Sequence, residues 1–142
     1  LSLEQDVVPP SRVIEHLLAT QKQIVSGVYL NKDTKDVDKP KLQVMAGIFG
    51  SEEEKKQKIV RSMGLLQLFP SRVFEVAYAG LGCMLISCSV LEKISFRYEQ
   101  RKNACDDVYF CMDAQGAGFQ VFIDSSMLCA HYFNDAFKKT PY

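Results

Sequence analysis

Residues 4–10 read Glu4-Gln5-Asp6-Val7-Val8-Pro9-Pro10, and the reading of the whole chain grows outward from them. In an extended backbone Glu4 and Asp6 project to the same side. Leu1-Ser2-Leu3 just before them reads as the end of a buried strand, which puts the two acids at a strand's carboxyl end. Two carboxylates so placed can hold a hard divalent cation through oxygen. The plainer reading is an exposed strand end carrying two unrelated acids, because short acidic patterns are common.

On the other side of the motif, Pro9-Pro10-Ser11 opens a helix, since a proline in the first turn gives up an N–H that has no partner there anyway. Val13, Ile14, Leu17 and Leu18 make its apolar stripe. Ile24 to Leu30 is short and β-branched, which predicts a strand, with Gly27 marking a close backbone approach. Asn31 to Lys41 is dense in charge and predicts a solvated loop. Leu42 to Phe49 predicts another strand.

Ser51 and Glu52-Glu53-Glu54, followed by Lys55, Lys56 and Lys58, order their charges as a helix dipole favours, and Gly64 is the expected stop. Leu65 to Phe69 and Val73 to Ala79 predict strands around Pro70-Ser71. Gly80-Leu81-Gly82 is a tight link into a buried strand at Cys83 to Ser87. A short helix is expected at Ser89 to Ile94, then a polar irregular stretch from Phe96 to Ala104. Asp106-Asp107 begins a further helix, with Val108, Cys111, Met112 and Gln115 on one side and Gly116 to Gly118 stopping it. Phe119 to Ile123 predicts a strand, and Met127 to Phe133 an extended segment. Strands and helices alternate, so the fold class is α/β with a mixed sheet flanked by helices.

Composition narrows the function classes. Seventeen Lys and Arg balance 17 Asp and Glu, which gives no electrostatic footprint for nucleic acid. No apolar run reaches the ~18 residues of a membrane span, and no signal-peptide pattern is present. The five cysteines, Cys83, Cys88, Cys105, Cys111 and Cys129, lack CxxC spacing, which argues against a zinc ribbon or a disulfide framework. Reduced thiols in apolar runs suit a cytoplasmic setting, in solution or at the periphery of a membrane.

Three further groups could carry chemistry. Asp106-Asp107 either caps a helix or supplies a general base, because adjacent acids in a partly buried cleft cannot both ionise freely. His131 is either a satisfied core histidine or a neutral imidazole for a metal. Gly80-Leu81-Gly82 is either a tight turn or a weak phosphate cradle. Zinc on Cys83, Cys88, Cys129 and His131, or a Cys129–His131 nucleophile pair, lacks the spacing or the third orienting group that such sites need. His16 reads as a boundary residue.

Taken in order, these pieces resemble the second half of family-2-type nucleotide-sugar glycosyltransferases with the GT-A fold. Glu4-Gln5-Asp6-Val7-Val8-Pro9-Pro10 is similar to that family's acid-x-Asp motif and following prolines. Ile24-Val25-Ser26-Gly27-Val28-Tyr29 looks like its next strand, and Gly80-Leu81-Gly82-Cys83-Met84-Leu85-Ile86 like the acceptor-side strand and turn. Asp106-Asp107-Val108-Tyr109-Phe110-Cys111 with Gly118-Phe119-Gln120-Val121 is similar to its "ED" helix–strand unit, and Cys129-Ala130-His131 to its closing strand. The resemblance covers most of the chain outside Asn31 to Pro70. It departs from the family at Glu4, where aspartate is commoner, and at Met112-Asp113, where a basic residue often stands.

The resemblance implies a single partial GT-A domain over residues 1–142, lacking the N-terminal nucleotide-binding βαβ units, with its beginning in mid-domain. It implies transfer of a sugar from a nucleotide-diphosphate donor to a glycan, lipid or protein hydroxyl. Asp6, Glu4 and His131 would hold Mn²⁺ or Mg²⁺. Asp107 would be the base and Asp106 its neighbour on the acceptor side, with inversion if base and metal flank the sugar. Gly80 and Gly82 would shape the acceptor floor. Alone, the chain is expected to transfer sugar poorly and to self-associate, most simply as a homodimer, through an unpaired sheet edge. A non-catalytic binding or assembly module of the same ancestry is the alternative. A nucleotidyltransferase is a weaker one, because it would want a glycine-rich phosphate loop.

Overall fold

The computed structural model describes residues 1–33, 41–97 and 105–132. Its elements in chain order are β1 (Ser2–Leu3), β2 (Val7–Val8), α1 (Val13–Ala19), β3 (Ile24–Val28), β4 (Leu30–Asp33), β5 (Lys41–Val44), β6 (Ala46–Ile48), α2 (Glu52–Gln57) and β7 (Arg61–Ser62). A 3-10 turn (Leu65–Leu68) follows, then β8 (Val73–Val76), β9 (Tyr78–Ala79), β10 (Cys83–Ile86), α3 (Cys88–Leu91), α4 (Asp106–Gly116), β11 (Val121–Leu128) and β12 (Ala130–His131). Among these, no helix is long and apolar enough to cross a membrane.

The main sheet has five strands in the order β1-β10-β3-β11-β8. Only β3 and β11 run parallel; every other neighbouring pair is antiparallel. The chain is therefore mixed α/β, as its alternation of elements predicts. β3 lies at the centre with all five residues buried, which is why Ile24-Val25-Ser26-Gly27-Val28 reads as an almost unbroken apolar run.

Period-two alternation sorts the sheet into two cores. Ile24 and Val28 face one side with Met84, Val121 and Ile123, where Phe110, Cys111 and Ala114 of α4 pack. Val25 faces the other with Cys83, joined by Val13 and Leu17 of α1. Gly27 is where the strand meets its neighbours most tightly: a Cβ there would lie 3.0 Å from both Cys129 Sγ and the Met127 carbonyl. All five cysteines are free.

Three small sheets decorate the main one. β12 pairs with β2, β4 with β5, and β6 lies between β7 and β9. Several elements depart from expectation. The expected loop from Asn31 to Lys41 begins within β4, whose register pairs Leu30 with Val44 and Asp33 with Lys41; residues 34–40 lie outside the described chain. Leu65 to Phe69 forms a 3-10 turn instead of a strand, with the Gln67 side chain accepting from the Gly64 N–H. α2 ends at Lys58, in the left-handed region, before Gly64.

α4 also turns differently from expectation. Asp107, Phe110, Cys111 and Ala114 are on its buried side, while Met112 is 48% exposed. Of the expected side of Val108, Cys111, Met112 and Gln115, Cys111 is buried in the core, Val108 and Gln115 are half-buried, and only Met112 is exposed.

Candidate functional site

The acidic motif at the start of the chain is fixed by two backbone contacts. The Glu4 N–H donates to the Gly82 carbonyl at 3.3 Å, and the Val7 N–H donates to the Glu4 carbonyl at 3.2 Å. β2 then pairs with β12, His131 opposite Val7, and the Tyr132 N–H donates to the Asp6 carbonyl at 2.8 Å. The two ends of the described chain are thus stitched together beside the carboxyl ends of the parallel strands β3 and β11. Open α/β sheets bind ligands at this edge.

A cavity of about 360 Å³ opens there. Glu4, Asp6 and His131 line it, as do Asp106 and Asp107 at the start of α4. All five candidate acid, base and metal residues therefore share one cleft. Tyr29, Asn31, Met45, Cys105 and Tyr132 complete its walls.

His131 Nδ1 lies 2.8 Å from the Leu30 carbonyl. A carbonyl can only accept, so Nδ1 carries the proton and the lone pair sits on Nε2 when the ring is neutral. Nε2 is 3.4 Å from Asp6 Oδ2. A backbone carbonyl on the far ring nitrogen is the support that metal-ligating histidines use to fix their tautomer. The Tyr29 ring meets His131 edge-on, at 5.2 Å between centroids.

The field in the cleft is strongly negative. The Glu4 carboxyl is pushed above its usual range, first by partial desolvation and then by Asp6, Asp107 and Asp106, with His131 opposing. Burial also raises Asp107, and Asp106 adds to the shift, while the Val108 N–H pulls it back. The Cys105 thiol is raised by burial, then by Asp107, Asp106 and Glu4, so it is a poor nucleophile. Tyr29 shifts upward through burial and the Glu4 charge.

Asp107 is 7% exposed, and its Oδ1 accepts from the Val108 N–H at 2.7 Å. Asp106 Oδ1 accepts from the Asp107 N–H at 3.1 Å. Both acids therefore serve the first turn of α4, where Cys105 supplies no side-chain cap. That local role leaves the remaining carboxylate lone pairs to the cleft.

Gly80 and Gly82 stand behind the cleft and do not line it. A Cβ on Gly80 would fall 2.0 Å from the Tyr29 hydroxyl, and one on Gly82 2.7 Å from Val7. The Gly82 N–H donates to the Tyr29 hydroxyl at 3.2 Å. Their role is to let Tyr29 lie flush against the Gly80–Gly82 turn, whose Gly82 carbonyl accepts from the Glu4 N–H. The Ser26 hydroxyl ties β3 to the same turn, within reach of the Gly80 and Cys83 carbonyls. Asp124 is buried and turned back on its own strand, accepting from the N–H and hydroxyl of Ser126. His16 lies at the end of α1, away from the cleft walls.

Sequence reasoning missed Tyr29 as a cleft residue. The signal was present: it follows the last residue of the central strand, at the edge where ligands bind. Asn31, Met45 and Tyr132 had no comparable signal. Of the polar stretch from Phe96 to Ala104, Arg97 is paired with Asp113 at 2.6 Å, and residues 98–104 lie outside the described chain.

The donor chemistry suits a hard cation: among the described residues, four carboxylates and one imidazole line the cleft. Asp6 and His131 are the neighbouring pair. Among the described residues no three His, Cys, Asp or Glu side chains converge as a metal-binding group.

No known family pattern matches the chain. No curated protein matches it either. A solved structure does: the crystal structure of A197 from STIV aligns with a TM-score of 0.56 and 20% identity, over 94% of this chain and 56% of that one. Identity this low establishes a shared fold alone. The chain spans little more than half the length of the protein it resembles.

Proposed function

We propose that the chain forms the metal-side and acceptor-side part of a nucleotide-sugar glycosyltransferase domain of GT-A type. One observation carries the reading: Glu4, Asp6 and His131, contributed by opposite ends of the sequence, line a single cleft together with Asp106 and Asp107. A mixed sheet with its cleft at the carboxyl ends of β3 and β11 supports it.

In this reading Asp6 and His131 hold Mn²⁺ or Mg²⁺, with Glu4 in reserve through water. Two protein ligands suffice for such a cation when substrate phosphates complete the shell. The bound ion would neutralise charge on the departing nucleotide diphosphate. Asp107 takes the proton of an acceptor hydroxyl as its oxygen attacks the anomeric carbon. Burial and the neighbouring Asp106 raise its affinity for that proton, which strengthens it as a base. Asp106 is more exposed and meets the acceptor. Tyr29 walls the cleft beneath His131.

The lack of a converged three-ligand group among the described residues favours a second reading, a non-catalytic binding or assembly module of the same ancestry. Titration of the isotopically labelled chain with Mn²⁺, followed by NMR, separates the two. Paramagnetic broadening centred jointly on Asp6 and His131 is expected for the enzyme. Broadening scattered over Glu52, Glu53 and Glu54, with none centred on the cleft, would sink it in favour of the module.

A further inference from the structure

A second cavity, of about 390 Å³, lies on the outward side of α4. Val108, Met112 and Gln115 form one wall of it, spaced four and three residues apart as one helix face requires. Sequence periodicity groups these three with Cys111; the fold buries Cys111, leaves Val108 and Gln115 half-buried and exposes Met112. Phe49, Tyr78 and Phe119 wall the rest. The volume falls within the range of small-molecule pockets, and an apolar lining with few polar groups is their usual composition.

The polar groups of this cavity are specific. Glu75 is already satisfied, by Lys55 at 2.6 Å and by the Gln120 amide at 3.0 Å. Lys58, at the end of α2, also borders the cavity and makes no ion pair among the described residues. One acid against two lysines leaves the rim with an excess positive charge. The acidic cleft has the opposite sign, although Asp107 lines that cleft and the adjacent Val108 lines this cavity.

We propose that this cavity is a second ligand site, for a small amphiphile whose apolar body lies against Val108, Met112 and Phe119 and whose anionic head meets Lys58. The inference does not rest on the glycosyltransferase reading. A scattered exposed methionine is ordinary. Here Met112 shares one cavity lining with the rings of Phe49, Tyr78 and Phe119, and the positive charge of Lys58 selects the sign of the head group.

The test uses the whole chain and two probes, anilinonaphthalene sulfonate and decanoate. Saturable fluorescence enhancement by the first is expected, with NMR shifts confined to Val60, Met112 and Phe119. Displacement by decanoate assigns an acyl body, and binding of the naphthalene probe without displacement assigns a ring. Met112→Glu should weaken binding by about tenfold or more, since each ~1.4 kcal/mol lost is a factor of ten. Lys58→Glu, a change at the exposed rim, should weaken it by roughly threefold. Circular dichroism of both variants should match the parent, because both side chains are exposed. Absence of saturable binding by either probe, shifts centred on Asp6 and His131, or parental affinity in Met112→Glu would each overturn the proposal.

Discussion

The two cavities of this molecule meet at the first turn of α4 and differ in almost every physical respect. One is built from carboxylates and an imidazole drawn from the ends of the sequence; the other from rings, a methionine and lysines drawn mostly from its middle and from α4. In the first, burial and mutual repulsion hold Glu4 and Asp107 in a costly state that a cation or a proton would relieve. In the second, apolar surface is left uncovered. Charge strain and uncovered apolar surface are two different invitations to a ligand, and one helix presents both.

The shared helix is also the place to break the comparison. Phe110 is fully buried, stacks on Phe96 at 4.7 Å between centroids, and holds α4 against the sheet. Phe110→Ala should cost about 3–5 kcal/mol, a large share of the ~5–15 kcal/mol that stabilises a typical domain. Denaturant unfolding would measure the loss. Both Mn²⁺ broadening in the cleft and amphiphile binding on the far side should fall together. Survival of either at parental strength would show that the two regions do not depend on one positioning element.

A smaller change should touch the acidic region alone. The folded protein binds a proton on Asp107 more tightly than an ordinary carboxylate does. The native state is therefore the better proton binder, and stability must fall as pH rises from the ordinary carboxylate value through the raised one. Glu4 acts in the same direction. Asp107→Asn keeps an oxygen to accept from the Val108 N–H but cannot ionise. Its urea midpoint should lie above the parent's at neutral pH, with a flatter decline from acid to neutral. An unchanged pH profile would mean that Asp107 is not under the burial and repulsion described. Amphiphile binding should not respond.

How far each region was legible follows from the same contrast. The cleft residues could be found because polar groups in short motifs at strand and helix ends leave few places for their side chains. The β2–β12 pairing that joins Asp6 to His131 was not written in any local pattern; only the order of motifs implied it. The central strand was legible because alternation around Gly27 fits both faces of a buried sheet. α4 was not, since it offers two apolar stripes: Asp107, Phe110, Cys111 and Ala114, or Val108, Cys111, Met112 and Gln115. Periodicity alone cannot say which one faces the sheet. The choice went to the stripe that carries Phe110, at the cost of burying Asp107. Leu65-Leu66-Gln67-Leu68 failed for a related reason, because a short apolar run serves a strand or a tight turn equally well.

The smallest effect sharpens the comparison from the apolar side. Glu75 pairs with Lys55 across partly exposed side chains, so Glu75→Gln should change stability by no more than about 1 kcal/mol. The substitution keeps an oxygen for the Gln120 amide and removes the rim's carboxylate charge. Lys55 and Lys58 then act together on an anionic head, and affinity for anilinonaphthalene sulfonate should rise by about twofold, a gain that screening shrinks as salt is added. The same step in the cleft, Asp106→Asn, removes one of the charges that raise Glu4, and so should lower the Glu4 pKa and leave the dye untouched. If instead Glu75→Gln leaves the dye affinity unchanged at low salt, the second cavity reads only apolar shape, and the opposite signs of the two regions have no bearing on what binds there.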